Sequence, residues 1–224
     1  MRHMKLAGWA GVIGFALAAI GSAVVGLFDG SSIFDFPGSQ ASGAEITALV
    51  AEHRSSILLA MVLNTFGVEL WLVLGVGVWL RLRETGESVL SGSFALGLAG
   101  FVTLIFAGFV PFFLLAYRHG DPAHARLLYD LTFGLLAMSG APTSVALWSY
   151  AILVWQRGPL PRWTAVLAAI SAAAHDLLLL SFIVSHGFFS LQGQVISAIP
   201  ATLFIWVLGT GIALLREPAA RQAY

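Results

Sequence analysis

The chain has 224 residues, of which 58 % are hydrophobic and only 10 % are charged, and its mean hydropathy is +0.90. Soluble globular domains carry about 25 % charged residues, so this composition predicts an integral membrane protein. The eleven basic and eleven acidic residues cancel, which gives no reason to expect a nucleic-acid partner. The chain contains no cysteine, which excludes disulfides, thiolate metal sites and cysteine nucleophiles.

Long apolar runs predict six membrane-spanning helices, because about 20 apolar residues cross the hydrocarbon of a bilayer. We place these helices roughly at residues 6–27, 55–80, 90–117, 131–155, 161–186 and 194–215. The apolar runs at 45–80 and 122–156 are longer than one crossing, so we expect their first turns to project beyond the membrane or the helices to tilt. Pro111, Pro200 and the segment 140–142 predict kinks. The expected fold is all-α, a single transmembrane bundle over residues 1–224.

Lysine and arginine are unequally distributed between the two sides of the predicted bundle. With the N-terminus in the cytoplasm, eight of these residues lie on the inner side, namely Arg2, Lys5, Arg81, Arg83, Arg157, Arg162, Arg216 and Arg221. The outer side then carries Arg54, Arg118 and Arg126. Because cytoplasmic loops are enriched in Lys and Arg, we predict both termini in the cytoplasm. The expected location is the plasma (inner) membrane of a bacterium, as a multi-pass protein.

Five polar or ionisable residues lie in or next to the predicted spans: Asn64, Glu69, Asp130, His175 and Asp176. Such residues are costly in hydrocarbon, so they usually face a bundle interior or a wet cavity and often mark function. At 1.5 Å per residue, Glu69 lies near the midplane and His175 and Asp176 at a similar depth. The arrangement predicts a polar pocket in the outer half of the bundle that opens outward and binds its ligand through these five residues.

Glu69, Asp176 and His175 are also the residues that would be catalytic if the protein is an enzyme. Two membrane-embedded carboxyl groups near one imidazole could hold one group as acid and another as base, the arrangement that proton transfer needs. In the structural alternative, a protonated Glu69 only ties helices together. Adjacent helical residues point about 100° apart, so at most one of His175 and Asp176 is expected to face Glu69 squarely.

The other polar residues have simpler structural interpretations. Asp130 could form an ion pair with Arg126, one helical turn earlier, and Asn64 could hold two helices together by hydrogen bonding. The six histidines are scattered and show no metal-ligand spacing, so we expect neither a metal site nor a cofactor. The phenylalanines of the third helix, Phe106, Phe109, Phe112 and Phe113, are interpreted as packing or lipid-facing residues. The alternative is that they form the wall of a hydrophobic ligand's site.

The order of several short signals resembles an uncharacterised family of small six-span bacterial membrane proteins that is common in actinobacteria. The segment Ser42-Gly43-Ala44-Glu45-Ile46 follows the first helix, Leu160-Pro161-Arg162-Trp163 opens the fifth, and Pro200, Trp206 and Gly209 lie in the sixth. This resemblance covers nearly the whole chain and implies the architecture alone. Glu69 and Asp176 are also similar, in residue type and in predicted membrane depth, to the acids of integral-membrane terpene cyclases, which are usually described with seven spans.

Three functional classes therefore stay open. The first is a protein that binds or handles a lipid or other hydrophobic small molecule, with membrane lipids as its surroundings. The second is a membrane-embedded enzyme of the terpene-cyclase type that uses Glu69 and Asp176 as acid and base. The third is a proton-coupled permease or an accessory subunit. The sequence shows no inverted repeat, which counts against a transporter acting alone.

Overall fold

A computed structural model describes residues 2–29, 37–118 and 121–216 of the chain, so Arg221 lies outside the described residues. These residues form helices and no strand. The helices are α1 (Arg2–Asp29), α2 (Gly43–Glu52), α3 (Arg54–Arg83), α4 (Ser88–Tyr117), α5 (Pro122–Met138), α6 (Gly140–Arg157), α7 (Arg162–Leu178) and α8 (Val195–Arg216). A 3₁₀ turn at Leu179–Phe182 extends α7. Six stretches are long and apolar enough to cross a membrane, which confirms the all-α six-span bundle and a multi-pass membrane protein.

Two of the long apolar runs are divided in the structure. The first run contains α2, a separate helix of ten residues, and α3 begins one residue after His53. The second run is a span of 36 residues made of α5 and α6, which meet at Ser139. Pro142 lacks the N–H that would bond to the Met138 carbonyl, which explains the break at this point. Pro111 and Pro200, by contrast, lie inside α4 and α8, which both continue past them.

Small residues bring α1 close to α3 and α8. A Cβ atom added to Gly14 would lie 2.8 Å from the carbonyl oxygen of Gly67, and one added to Gly67 would lie 2.8 Å from that of Gly14. One added to Gly11 would lie 3.2 Å from the Cα of Gly211. Because lipid tails are as apolar as leucine, such close backbone approaches are a main source of helix association in membranes.

The buried side chains form two clusters along the bundle axis. One cluster is centred on Trp71, Leu74, Phe94, Tyr150 and Trp206. The other contains α2 and the halves of the spans that face it; its members include Ile46, Ile57, Phe112, Tyr129 and Ile196. A cavity lies where residues of both clusters meet, and it is the site described below.

Polar contacts fasten the end of the bundle that carries residues 37–53 and 183–194, which we call the capped end. The Arg126 guanidinium donates to the carbonyl oxygens of Ser39 (2.5 Å) and Ala41 (2.6 Å). The Tyr129 hydroxyl donates to the Pro37 carbonyl at 2.8 Å, and the Ser39 hydroxyl donates to that of Ser185 at 2.7 Å. These bonds hold the segment 37–42 across α5 and next to the chain that connects α7 with α8.

Acidic side chains begin both helices of the capped end. The Glu45 carboxylate accepts from the backbone N–H and the hydroxyl of Ser42, which completes the capping box of α2. Asp121 accepts from the N–H of Ala123 at the start of α5 and from His124. The hydrogen bonds from the Ser42 backbone and from the Ala123 backbone lower the pKa values of Glu45 and Asp121, respectively, below their ordinary values.

Candidate functional site

A cavity of about 400 Å³ lies inside the bundle and is the candidate binding site. Residues of α1, α3, α4, α5, α7 and α8 contribute to its wall, together with Ser139 at the break between α5 and α6. Most of the lining is apolar, and the polar side chains in it belong to Ser22, Asn64, Thr132, Ser139 and His175. A mostly apolar concavity of this size with few polar groups is typical of a site for a hydrophobic small molecule.

Aromatic side chains form one side of the cavity. The Trp71 indole stacks against Phe101, with ring centroids 6.2 Å apart and an angle of 13° between the ring planes. It packs edge-to-face with Phe204, and these ring centroids are 5.1 Å apart. Phe109 and Phe112, which the sequence analysis interpreted as packing or lipid-facing residues, also line the cavity. These rings give the site a rigid apolar surface.

The Trp71 indole nitrogen is a buried donor that has almost no surface facing the cavity. The residue is 3 % exposed, and its Nε1 atom has no hydrogen-bond partner among the described residues. A buried donor without an acceptor is destabilising by about 1–3 kcal/mol. The neighbouring Cδ1 atom of the ring would lie 2.7 Å from a Cβ atom on Gly14, so this edge of the indole faces α1.

His175 is the sequence-predicted residue that the structure places deepest in the cavity wall. It is 2 % exposed, and its Nδ1 atom lies 2.7 Å from the carbonyl oxygen of Ser171, one turn earlier in α7. Since a carbonyl only accepts, Nδ1 carries the proton, and in the neutral imidazole Nε2 is an acceptor. Nε2 makes no hydrogen bond with the described residues.

Two neighbours fix the position of His175. A Cβ atom added to Gly140 would lie 2.7 Å from the carbonyl oxygen of His175, so the start of α6 packs directly on the α7 backbone. The hydroxyl groups of Thr202 in α8 and Ser171 in α7 are hydrogen-bonded to each other at 3.1 Å. The break in the fourth span thus brings α6 against α7 at the depth of the histidine.

Asn64 also lines the cavity, from α3. Its Nδ2 atom donates to the carbonyl oxygen of Ala60 at 2.9 Å, and a Cβ atom on Gly21 would lie 2.6 Å from that nitrogen. The side-chain oxygen makes no hydrogen bond with the described residues. The structure therefore brings Asn64 and His175 to the same cavity.

Glu69 and Asp176 lie outside the cavity lining. Both side chains are exposed on the surface of the bundle, and Glu69 makes no hydrogen bond or ion pair with the described residues. Asp176 accepts hydrogen bonds from the Ser144 hydroxyl and, at 3.0 Å, from the Trp148 indole nitrogen, both in α6. The two carboxyl groups are not combined with the histidine in one enclosed acid–base site.

Asp130 belongs to the capped end. As the sequence predicts for this pair, its carboxylate forms an ion pair with Arg126, at 2.7 Å. Its other oxygen accepts from the amide nitrogen of Gln192 at 2.8 Å. Asp130 is not among the residues that line the cavity, and its contacts connect α5 with the chain that precedes α8.

The sequence indicated an aromatic wall only as the alternative for the phenylalanines of the third helix, and it did not indicate Trp71, Thr132 or Ser139 as parts of the site. Trp71, two residues after Glu69, gave a usable signal, because a tryptophan in the middle of a span is away from the interfacial belt where this residue is enriched. Within the described residues, no three His, Asp or Glu side chains lie close enough together to hold a metal ion. No protein-family model, curated protein or solved structure matches the chain.

Proposed function

We propose that this protein binds a hydrophobic small molecule or the apolar part of a lipid in the cavity within its membrane-spanning bundle. The observation that carries the proposal is the cavity itself, with its volume of about 400 Å³ and its mostly apolar lining. The expected setting is a bacterial plasma membrane with both termini in the cytoplasm, because Lys and Arg are enriched on that side of the bundle.

The size of the cavity supports an occupant on energetic grounds. The cavity is partly open, and its mostly apolar lining makes few packing contacts as long as no apolar molecule fills it. A bound apolar molecule would restore most of these contacts.

The position of small residues favours access from the bilayer. At one end, α1 and α8 are in direct contact, since a Cβ atom on Gly8 would lie 2.9 Å from the carbonyl oxygen of Gly211. Toward the capped end both helices present small side chains to the cavity, Ala19 on α1 and Ala198 and Ala201 on α8. The two alanines of α8 are also exposed on the bundle surface. A hydrophobic molecule would therefore pass laterally between these helices.

Photolabelling with an apolar probe tests the proposal. A dodecane that carries a diazirine is added to membranes containing the protein, and labelled residues are mapped by mass spectrometry. We expect labelling of Trp71 and Phe101, which line the cavity and are buried from the surrounding lipid. Ala19→Phe, which places a ring in the cavity, is expected to abolish this labelling.

Ala16→Phe is the matched control, because Ala16 lies on the same helix, is exposed and does not line the cavity. It should leave the labelling of Trp71 and Phe101 unchanged. Equal labelling of these residues in wild type and Ala19→Phe, or none in wild type, would overturn the proposal.

A further inference from the structure

The cavity wall beside the break between α5 and α6 restricts the polar end of the ligand, and this inference rests on the proposed function. Ser139 lies at the break, and Gly140, the next residue, packs on the α7 backbone, since a Cβ atom there would lie 2.7 Å from the carbonyl oxygen of His175. Ser139 and His175 both line the cavity. The break therefore brings polar side chains from two neighbouring helices to one part of the wall.

The polar side chains in this part of the wall have already donated their protons. The hydroxyl groups of Ser139 and Thr132 each donate to a carbonyl oxygen one turn earlier in α5, at 2.6 and 2.9 Å. The Nδ1–H of His175 donates to a carbonyl oxygen one turn earlier in α7, at 2.7 Å. The other polar side chains of the lining, Ser22 and Asn64, belong to α1 and α3. Around His175 the wall therefore offers a ligand acceptors and no donor.

The Nε2 atom of His175 is the acceptor that a ligand can reach. It makes no hydrogen bond with the described residues, and unlike the indole nitrogen of Trp71 it keeps accessible surface. Because His175 is 2 % exposed and lines the cavity, that surface faces the cavity. An acceptor in an apolar enclosure is unfavourable until a donor bonds to it. The ligand is the molecule placed to supply that donor.

The same wall excludes a charged donor. The cavity lining contains no Asp, Glu, Lys or Arg among the residues that the structure describes. An ammonium group donates hydrogen bonds, but it would be buried there without a counter-ion, which is strongly unfavourable. Asp176 does not supply one, because its carboxylate lies on the bundle surface and accepts from Ser144 and Trp148 of α6. The donating group of the ligand is therefore uncharged.

We propose that the ligand carries an uncharged hydrogen-bond donor, such as a hydroxyl group, at the end that lies against His175, and that this group donates to Nε2. An ether, ketone or ester of the same shape only accepts, so it leaves Nε2 without a donor and brings a second lone pair next to it. A carboxylate also lacks the proton and is charged as well. The cavity thus distinguishes hydrophobic molecules by the proton on their polar end.

Three photoreactive probes with the same diazirine-bearing dodecyl chain test this assignment: the alcohol, its methyl ether and the primary amine, which is an ammonium ion at neutral pH. Labelling of Phe101 is measured at equal probe concentration in the bilayer for wild type, His175→Leu and His186→Leu. The last is the matched control, because His186 is exposed and does not line the cavity. Size-exclusion profiles and melting temperatures establish that each variant is folded.

We expect the alcohol to label Phe101 about fivefold more than the methyl ether in wild type and in His186→Leu, because only the alcohol donates to Nε2. In His175→Leu the alcohol and the ether should label equally. The ammonium probe should label about tenfold less than the alcohol or weaker still, because its charge has no partner in the cavity. The comparison of the three probes in wild type needs no variant and decides the matter even where His175→Leu does not fold.

The outcomes separate this inference from the proposed function. Equal labelling by the alcohol and the ether in wild type, or stronger labelling by the ammonium probe, overturns the assignment of an uncharged donor and leaves hydrophobic binding in the cavity supported. A preference for the alcohol that survives in His175→Leu also overturns the assignment. Labelling by no probe, dodecane included, above the level in Ala19→Phe overturns the proposed function and this inference together.

Discussion

Replacing Gly67 by alanine is expected to destabilise the bundle where α1 and α3 are closest. The added Cβ atom would lie 2.8 Å from the carbonyl oxygen of Gly14 and 3.0 Å from the backbone nitrogen and the Cβ of Ala18. An ordinary van der Waals contact at this position would be longer by several tenths of an ångström, and two of the three neighbours are backbone atoms that cannot rotate away. The whole of α1 therefore has to shift.

The magnitude follows from the balance of two effects. Alanine in place of glycine within a helix stabilises by about 0.5–1 kcal/mol through backbone entropy. Overpacking of a close contact destabilises by about 1–3 kcal/mol, and here the clash is with backbone. The net loss for Gly67→Ala is thus roughly 1–2 kcal/mol.

Gly134→Ala is the control, because Gly134 lies inside α5 and a Cβ atom there would meet nothing within 4 Å. It should be as stable as wild type or more stable by about 0.5–1 kcal/mol. Both variants are compared with wild type by reversible denaturant unfolding in mixed micelles. Equal stability of Gly67→Ala and Gly134→Ala would refute the close contact between α1 and α3.

Three further predictions concern the capped end and the topology. A cysteine at Ser39 should react with an impermeant reagent from outside the cell and one at Gly86 should not; the opposite pattern would reverse the orientation. Arg126→Gln removes the hydrogen bonds that hold the segment 37–42, and we expect this segment to be less stable by about 2 kcal/mol, a value that allows for the partial exposure of Arg126. Faster hydrogen exchange of its backbone amides would measure this loss. Because the pKa values of Glu45 and Asp121 are lowered on folding, their capping contributes stability above their ordinary values of 4.5 and 3.8 and is lost as the pH falls through the folded values. Amide hydrogen exchange that becomes faster in α2 and α5 under acid conditions, but not in α8, would show that this capping is lost.

The sequence was sufficient to predict the spans, because apolar length alone determines which segments cross a bilayer. The third span, for example, was expected at residues 90–117 and is α4, Ser88–Tyr117. The break at Ser139 was visible in the segment 140–142. The separation of α2 from α3 was not, since residues 52–56 are polar but contain no proline or glycine that would mark a helix end.

The candidate site was less predictable, because depth in the membrane does not determine the direction of a side chain. His175 and Asp176 lie at the same depth, and the 100° between neighbouring helical residues puts one in the cavity and the other on the surface. Asn64 and Glu69 are five residues apart on α3, and again only the first lines the cavity. Hydropathy along α3 could not indicate its inner face, because its apolar residues surround the helix on all sides.

The hydrogen bonds of Asp176 have a consequence for the order in which the spans can enter the membrane. A carboxylate within a span opposes insertion, by roughly 2.5–3.5 kcal/mol where it lies at the centre, and Asp176 lies in the last turn of α7. Its donors, Ser144 and Trp148, belong to α6, which leaves the ribosome before α7. The earlier span thus carries the groups that compensate the later one, and α7 should insert efficiently only as the second half of a hairpin with α6. Ser144→Ala combined with Trp148→Phe would then lower the insertion of α7 although neither substitution lies within it.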